Sequence, residues 1–112
     1  MKYMLLLFGA EDGMEMTPEA MAPWAKFSDD AAKLATEVGG EALDASSTAT
    51  VVSVRNGQRV VTDGPFITTK EQLGGYYIFD CDNLDTAMKL AEMIPIAPSG
   101  YVEVRPVVDF GQ

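Results

Sequence analysis

No histidine occurs anywhere in the 112 residues. The commonest general base and the commonest metal ligand are therefore missing, and no Ser-His-Asp triad or Cys-His dyad can form within one chain. Cysteine is nearly absent too: Cys81 stands alone, so no disulfide can close inside the subunit, a composition suited to a reducing, cytoplasmic compartment. Positive charge is scarce, with 8 basic residues against 17 acidic ones and a net charge of −9. A nucleic-acid binder or an anionic-membrane binder needs the opposite sign, so neither is expected. Long apolar runs are lacking. Tyr3 to Phe8 is the longest near the start, too short for a signal core and followed by Glu11, Asp12 and Glu15 where a small-residue cleavage site would be wanted. Gly74-Gly75 has neither the spacing nor the Lys-Ser/Thr of a phosphate loop, and the acids show no calcium-loop alternation. No cofactor and no metal is expected.

What is present suffices for one folded domain over residues 1–112. Met4 to Phe8 is apolar on both faces and reads as a buried strand ending at Gly9. Thr17-Pro18-Glu19 opens a helix with an N-cap, a proline at the first position and an acid near the positive end. Ala20, Met21, Trp24, Phe27, Ala31, Leu34, Ala35 and Val38 then recur at three- and four-residue steps, and Gly39-Gly40 closes the helix. Thr48 to Arg55 reads as a strand, Asn56-Gly57 as a tight hairpin turn, and Gln58 to Thr62 as the returning strand. Asp63-Gly64-Pro65 is a constrained turn in which Thr68-Thr69 can cap a short helical turn around Lys70-Glu71. Gly74-Gly75 reads as a break. Gly75 to Asp80 is again apolar on both faces. Asp82 or Asn83 caps a second helix with Leu84, Ala87, Met88, Ala91 and Ile94 on one side, ended by Pro95. Pro98-Ser99-Gly100 turns the chain, and Tyr101 to Arg105 alternates as a half-buried strand.

The order is β-α-β-β-α-β with an extra β-hairpin: an α+β fold in which two helices cover one face of an antiparallel sheet. The first and third principal strands, 4–8 and 76–79, lie centrally in that topology, and they have no polar side. Something apolar must cover the open face, and a second copy of the same sheet does so most simply, giving a homodimer through sheet faces.

Several side chains are placed to do chemistry. Asp63, locked beside Gly64 and Pro65, is either a base or ligand anchor or a turn aspartate bonded to nearby amides. Tyr101, Glu103 and Arg105 share one face of the last strand, either as a polar pocket for a small anionic molecule or as a cross-strand ion pair at a dimer rim. Lys70 and Glu71 are a loop cluster or a solvated turn. Tyr76 and Tyr77 point to opposite faces, one toward the helices and one toward the dimer cavity. Cys81 reads as inert packing, and Met14, Met16, Met21, Met88 and Met93 as gap-fillers.

The runs Lys2-Tyr3-Met4-Leu5-Leu6, Val61-Thr62-Asp63-Gly64-Pro65-Phe66, Thr69-Lys70-Glu71-Gln72-Leu73-Gly74-Gly75-Tyr76 and Val102-Glu103-Val104-Arg105-Pro106 resemble the YCII-related proteins, in particular the branch named for its DGPF motif. The resemblance extends from residue 2 to about 106. It implies a ferredoxin-like subunit dimerising as a dimeric α+β barrel. Relatives in the wider superfamily include isomerases, dehydrochlorinases and monooxygenases acting on small cyclic molecules between the sheets. It also implies an association of the DGPF branch with extracytoplasmic-function sigma factors. Some YCII relatives use a His-Asp pair, which this chain cannot supply. Many DGPF members read Ala-Glu after the Phe, where this chain reads Ile67-Thr68.

Three functions are compatible with these residues. One is a ligand- or partner-binding dimer, accessory to sigma-factor-linked regulation. The binding positions are then Asp63, Gly64, Pro65, Phe66, Lys70, Glu71, Tyr76, Tyr101 and Arg105. Another is an isomerase or lyase with Asp63 or Glu103 as base, Arg105 as anion clamp and a tyrosine as acid. In the third, the Asp63–Phe66 motif serves folding and dimerisation alone.

Overall fold

A computed structural model describes residues 1–11 and 17–111; Met14 and Met16 lie outside the described residues. The elements run β1 (Lys2–Gly9), α1 (Pro18–Ala31), β2 (Thr36–Ala42), a 3-10 turn (Ser46–Thr48), β3 (Thr50–Arg55), β4 (Gln58–Asp63), β5 (Gln72–Asp80), α2 (Leu84–Met93) and β6 (Tyr101–Pro106). The main sheet has the order β2-β5-β1-β6 with every pairing antiparallel. That is the ferredoxin-like order, with β1 and β5 at the centre as the doubly apolar runs require.

Local chemistry sets the helix starts. Thr17 accepts a hydrogen bond from the Ala20 amide at 3.1 Å, and Asn83 accepts one from the Thr86 amide at 2.9 Å. Both helices bury their apolar stripe against one face of the sheet. Tyr3, Leu5 and Leu7 of β1 and Phe79 of β5 meet Phe27 and Ala31 of α1, Ala87, Leu90 and Ala91 of α2, and Ile94 just beyond it. Phe27, Tyr77 and Phe79 form an aromatic cluster with ring centres 5.2–6.1 Å apart. Each fully buried Leu or Phe here contributes about 1.5–3 kcal/mol by leaving water.

Five expectations need correction. The first helix ends at Ala31, and residues Thr36–Ala42 form β2. Gly39-Gly40 therefore lies in a strand and caps nothing. Gly40 is needed there because a Cβ would stand 2.7 Å from the Tyr76 carbonyl oxygen, so the close approach of β2 to β5 excludes any side chain. The second principal strand is accordingly β2, and the 50–55 segment belongs to a separate two-stranded sheet with β4. Gly74-Gly75 sits inside β5 as part of a bulge opposite Leu7 and Phe8, so it breaks nothing. Around Lys70 there is no helical turn: the Thr69 hydroxyl donates to the Glu71 carbonyl. On α2 the buried residues are Ala87, Leu90 and Ala91, whereas Leu84 and Met88 are exposed.

The β3–β4 hairpin projects from the rest. Its turn residues Asn56 and Gly57 both adopt positive φ, 53° and 75°, the twist a two-residue hairpin favours. The Cα radius of gyration is 16.1 Å, against about 13 Å for a compact chain of this length.

Candidate functional site

The helices leave one face of the main sheet uncovered. Strand alternation sends Met4, Leu6 and Phe8 of β1 to that face, with Tyr76 and Ile78 of β5 beside them. All five are half-buried in the single chain. On the outer side Arg105 lies opposite Met4, Glu103 opposite Leu6 and Tyr101 opposite Phe8. On the other side Gly39 lies opposite Ile78 and Glu41 opposite Tyr76. The result is an apolar floor with a polar rim at each edge strand.

The register fixes distances across this floor. Glu103, Leu6, Tyr76 and Glu41 form one row over four strands, which at the usual strand spacing puts the two glutamates about 14 Å apart. Tyr76 stands on the floor between them, and Tyr77 turns the other way, against Phe27 and Phe79. Burial, assisted by the Glu37 carboxylate, pushes the Tyr77 phenol above its usual range.

Tyr101, Glu103 and Arg105 thus share a face, as their spacing requires, and all three are exposed. Among the described residues the ion pairs are Met1–Asp80, Lys26–Asp30 and Lys33–Asp30; Glu103 and Arg105 do not pair with each other or with Asp63. Among the described residues Arg105 makes no ion pair.

Asp63 stands elsewhere, at the end of β4, opposite Thr50 at the base of the arm. Gly64 follows with φ 96°, and its amide donates to the Ala49 carbonyl at 2.7 Å, closing that base. Pro65 is half-buried and Phe66 is exposed. The loop beyond is ordered by Gln72, whose side-chain amide donates to the Ile67 and Thr69 carbonyls, each at 2.9 Å. Lys70 is exposed and Glu71 half-buried.

Two positions escaped the sequence reading. Glu41 escaped because Leu34, Ala35 and Val38 continue the helical period up to Gly39-Gly40, although a Gly-Gly pair inside a run of strand length signals close backbone approach. Gln72 escaped because its part is to hold loop carbonyls, which leaves no pattern. A cleft of about 300 Å³ also opens on the helical side, between Met21 and Trp24 of α1 and a sheet patch formed by Leu7, Gly40, Ala42 and Tyr77. Cys81 is buried, and burial pushes its thiol above the usual value, which leaves little nucleophilic thiolate. Among the described residues no cluster of three metal-ligating side chains occurs, and no helix is long and apolar enough to cross a membrane.

Comparison with known proteins adds two findings. The family model for the YCII-related domain matches residues 1–111. A protein of Rhizobium meliloti, itself described as uncharacterised, is 51% identical over 53 residues. That match covers 46% of this chain and 43% of the relative, so the chain matches less than half of that protein's length.

Proposed function

The chain belongs to the YCII-related family, and from that membership and its bare sheet face we propose a homodimer whose stacked sheets enclose a chamber for a small, largely apolar, anionic molecule. The observation that carries this reading is the row of Met4, Leu6, Phe8, Tyr76 and Ile78 on the side of the sheet that no helix covers. An antiparallel sheet exposed to water on one face ordinarily presents polar side chains there. Five apolar residues in one patch on the central strands mark a contact surface, and a twofold pairing of identical faces satisfies it.

The chamber so formed has an apolar floor and few polar groups, the usual make-up of a small-molecule site. Arg105 supplies the anion contact, and the Tyr76 and Tyr101 phenols supply hydrogen bonds. The Asp63-Gly64-Pro65-Phe66 run supports placing the chain in the branch of the family named for that motif. Binding fits the geometry better than turnover. There is no histidine, and Glu103 and Glu41, about 14 Å apart within one sheet, are too distant to serve one small substrate as an acid and base pair.

Light scattering on the purified protein tests the assembly: two chains per particle are expected, and Leu6→Glu, which plants a charge mid-floor, should yield single chains. Binding is read by thermal shift with a panel of small cyclic carboxylates, expected to stabilise the wild type and not Arg105→Ala. A wild type that remains a single chain at micromolar concentration sinks the proposal.

A further inference from the structure

The β3–β4 arm has its own uncovered surface. Strand pairing places Val52 opposite Val61 and Val54 opposite Arg59, and with Thr50 and Asp63 these share one face of the hairpin. Val52, Val54 and Val61 are 59%, 62% and 50% exposed. On the opposite face Val51 and Ser53 are half-buried, while Val60 is 43% exposed. A lone two-stranded hairpin is marginal in water, and one that shows solvent three adjacent valines lacks the cover that would hold it in shape.

Charge indicates what covers it. Residues 51–62 contain Arg55 and Arg59 and no acid. With −9 for the whole chain, and Asp63 at the arm's foot included in the arm, everything outside residues 50–63 carries −10. Two of the three arginines therefore sit at the tip of a projecting arm, where Arg55 and Gln58 form the last pair before the turn, and the body they leave behind is strongly acidic. A second copy of this chain offers both an apolar contact and a surface of opposite charge.

We propose that the arm reaches across to the other subunit of the dimer and clasps it, the Val52/Val54/Val61 face packed on the partner with Arg59 of the same face, beside Arg55 at the tip, against the partner's acidic surface. This inference rests on the dimer proposed above and adds a second contact to it. The arm then adds a salt-sensitive contact to a sheet contact whose centre is apolar.

Two measurements separate the clasp from the sheet contact. Hydrogen exchange is compared between the wild-type dimer and the Leu6→Glu single chain: residues 50–63 should exchange at least about tenfold more slowly in the dimer. Sedimentation equilibrium then compares the wild type with the triple variant Val52→Thr, Val54→Thr, Val61→Thr, which keeps β-branched side chains while removing apolar surface. Its dimer dissociation constant should rise roughly tenfold or more. Arg59→Glu should weaken the dimer as well and flatten its dependence on salt. A dimer whose arm amides exchange as fast as in the single chain, or whose affinity the triple variant leaves unchanged, overturns the clasp and leaves the sheet contact standing. A wild type without any dimer overturns both.

Discussion

The Glu11 carboxylate accepts hydrogen bonds from both the amide and the hydroxyl of Ser46, 35 residues along the chain, the amide contact measuring 2.6 Å. Glu11 follows β1, and Ser46 opens the 3-10 turn that leads into the arm. The contact thus ties the foot of the arm to the central strand of the sheet. Hydrogen bonds from the Ser46 side chain and then its backbone hold the Glu11 carboxyl below its ordinary value of 4.5, against a small opposing effect of burial.

A pH dependence follows from the direction of that shift. A carboxyl whose folded-state pKa is depressed contributes stability above its unfolded value and loses it as pH falls through the lowered folded value. The tie between Glu11 and Ser46 is therefore intact at pH 6; its contribution begins to fall below 4.5 and is lost as pH drops through the lowered folded value. Because Glu11 is exposed, solvent screens the effect and it stays local. Glu11→Ala at pH 6 should speed exchange of the Ser46 amide, corrected for intrinsic rate, and leave the melting temperature nearly unmoved. An unchanged Ser46 rate in that variant removes the contact from the account.

Gly100 carries the chain into β6 through a gap too small for a side chain. A Cβ there would run into the Phe8 carbonyl oxygen and stand 2.9 Å from the Ile96 side chain. The Gly100 amide already donates to the Ile96 carbonyl at 2.7 Å, which limits how far the turn can shift. Gly100→Ala should cost about 1–3 kcal/mol as an overpacked site, read as a lower denaturant midpoint at constant slope. Since β6 bears Tyr101, Glu103 and Arg105, the same substitution displaces the outer rim of the open face. A loss under about 0.5 kcal/mol would mean that the turn yields freely.

Much of this architecture is readable from residue order. The two runs apolar on both faces are the central strands β1 and β5, each paired on both sides and covered by helices on one face. Asn56-Gly57 and the caps Thr17 and Asn83 act through their own backbone neighbours, so they need no tertiary information. β2 was hidden for the opposite reason. Leu34, Ala35 and Val38 continue the helical period of α1, and Gly39-Gly40 imitates a helix stop. What makes a strand of 36–42 is the edge of β5, against which Gly40 alone fits, and that demand comes from outside the segment. Glu41 was lost from the open face with it. On α2 the same limit appears: Leu84 and Leu90 are equally apolar, and only the position of the sheet decides that Leu90 is buried and Leu84 is not.

The Asp63-Gly64-Pro65-Phe66 turn is where a backbone requirement and a chemical role can be told apart. Gly64 holds φ 96° with nothing within 4 Å of where a Cβ would stand. The obstacle to a side chain is thus conformational and involves no clash. Gly64→Ala should cost about 1–2 kcal/mol through strain alone and loosen the Gly64–Ala49 hydrogen bond that shuts the base of the arm. Asp63 contrasts with it. Its side chain is exposed and makes no hydrogen bond or ion pair among the described residues, so Asp63→Asn should stay within about 0.5 kcal/mol of the wild type. Chemical denaturation of the two variants gives the comparison. If the motif serves the backbone, Gly64→Ala loses stability while Asp63→Asn matches the wild type in stability and in carboxylate binding. If Asp63→Asn instead abolishes ligand-induced stabilisation at unchanged stability, the aspartate contacts the ligand directly, and the binding site extends from the sheet face to the foot of the arm.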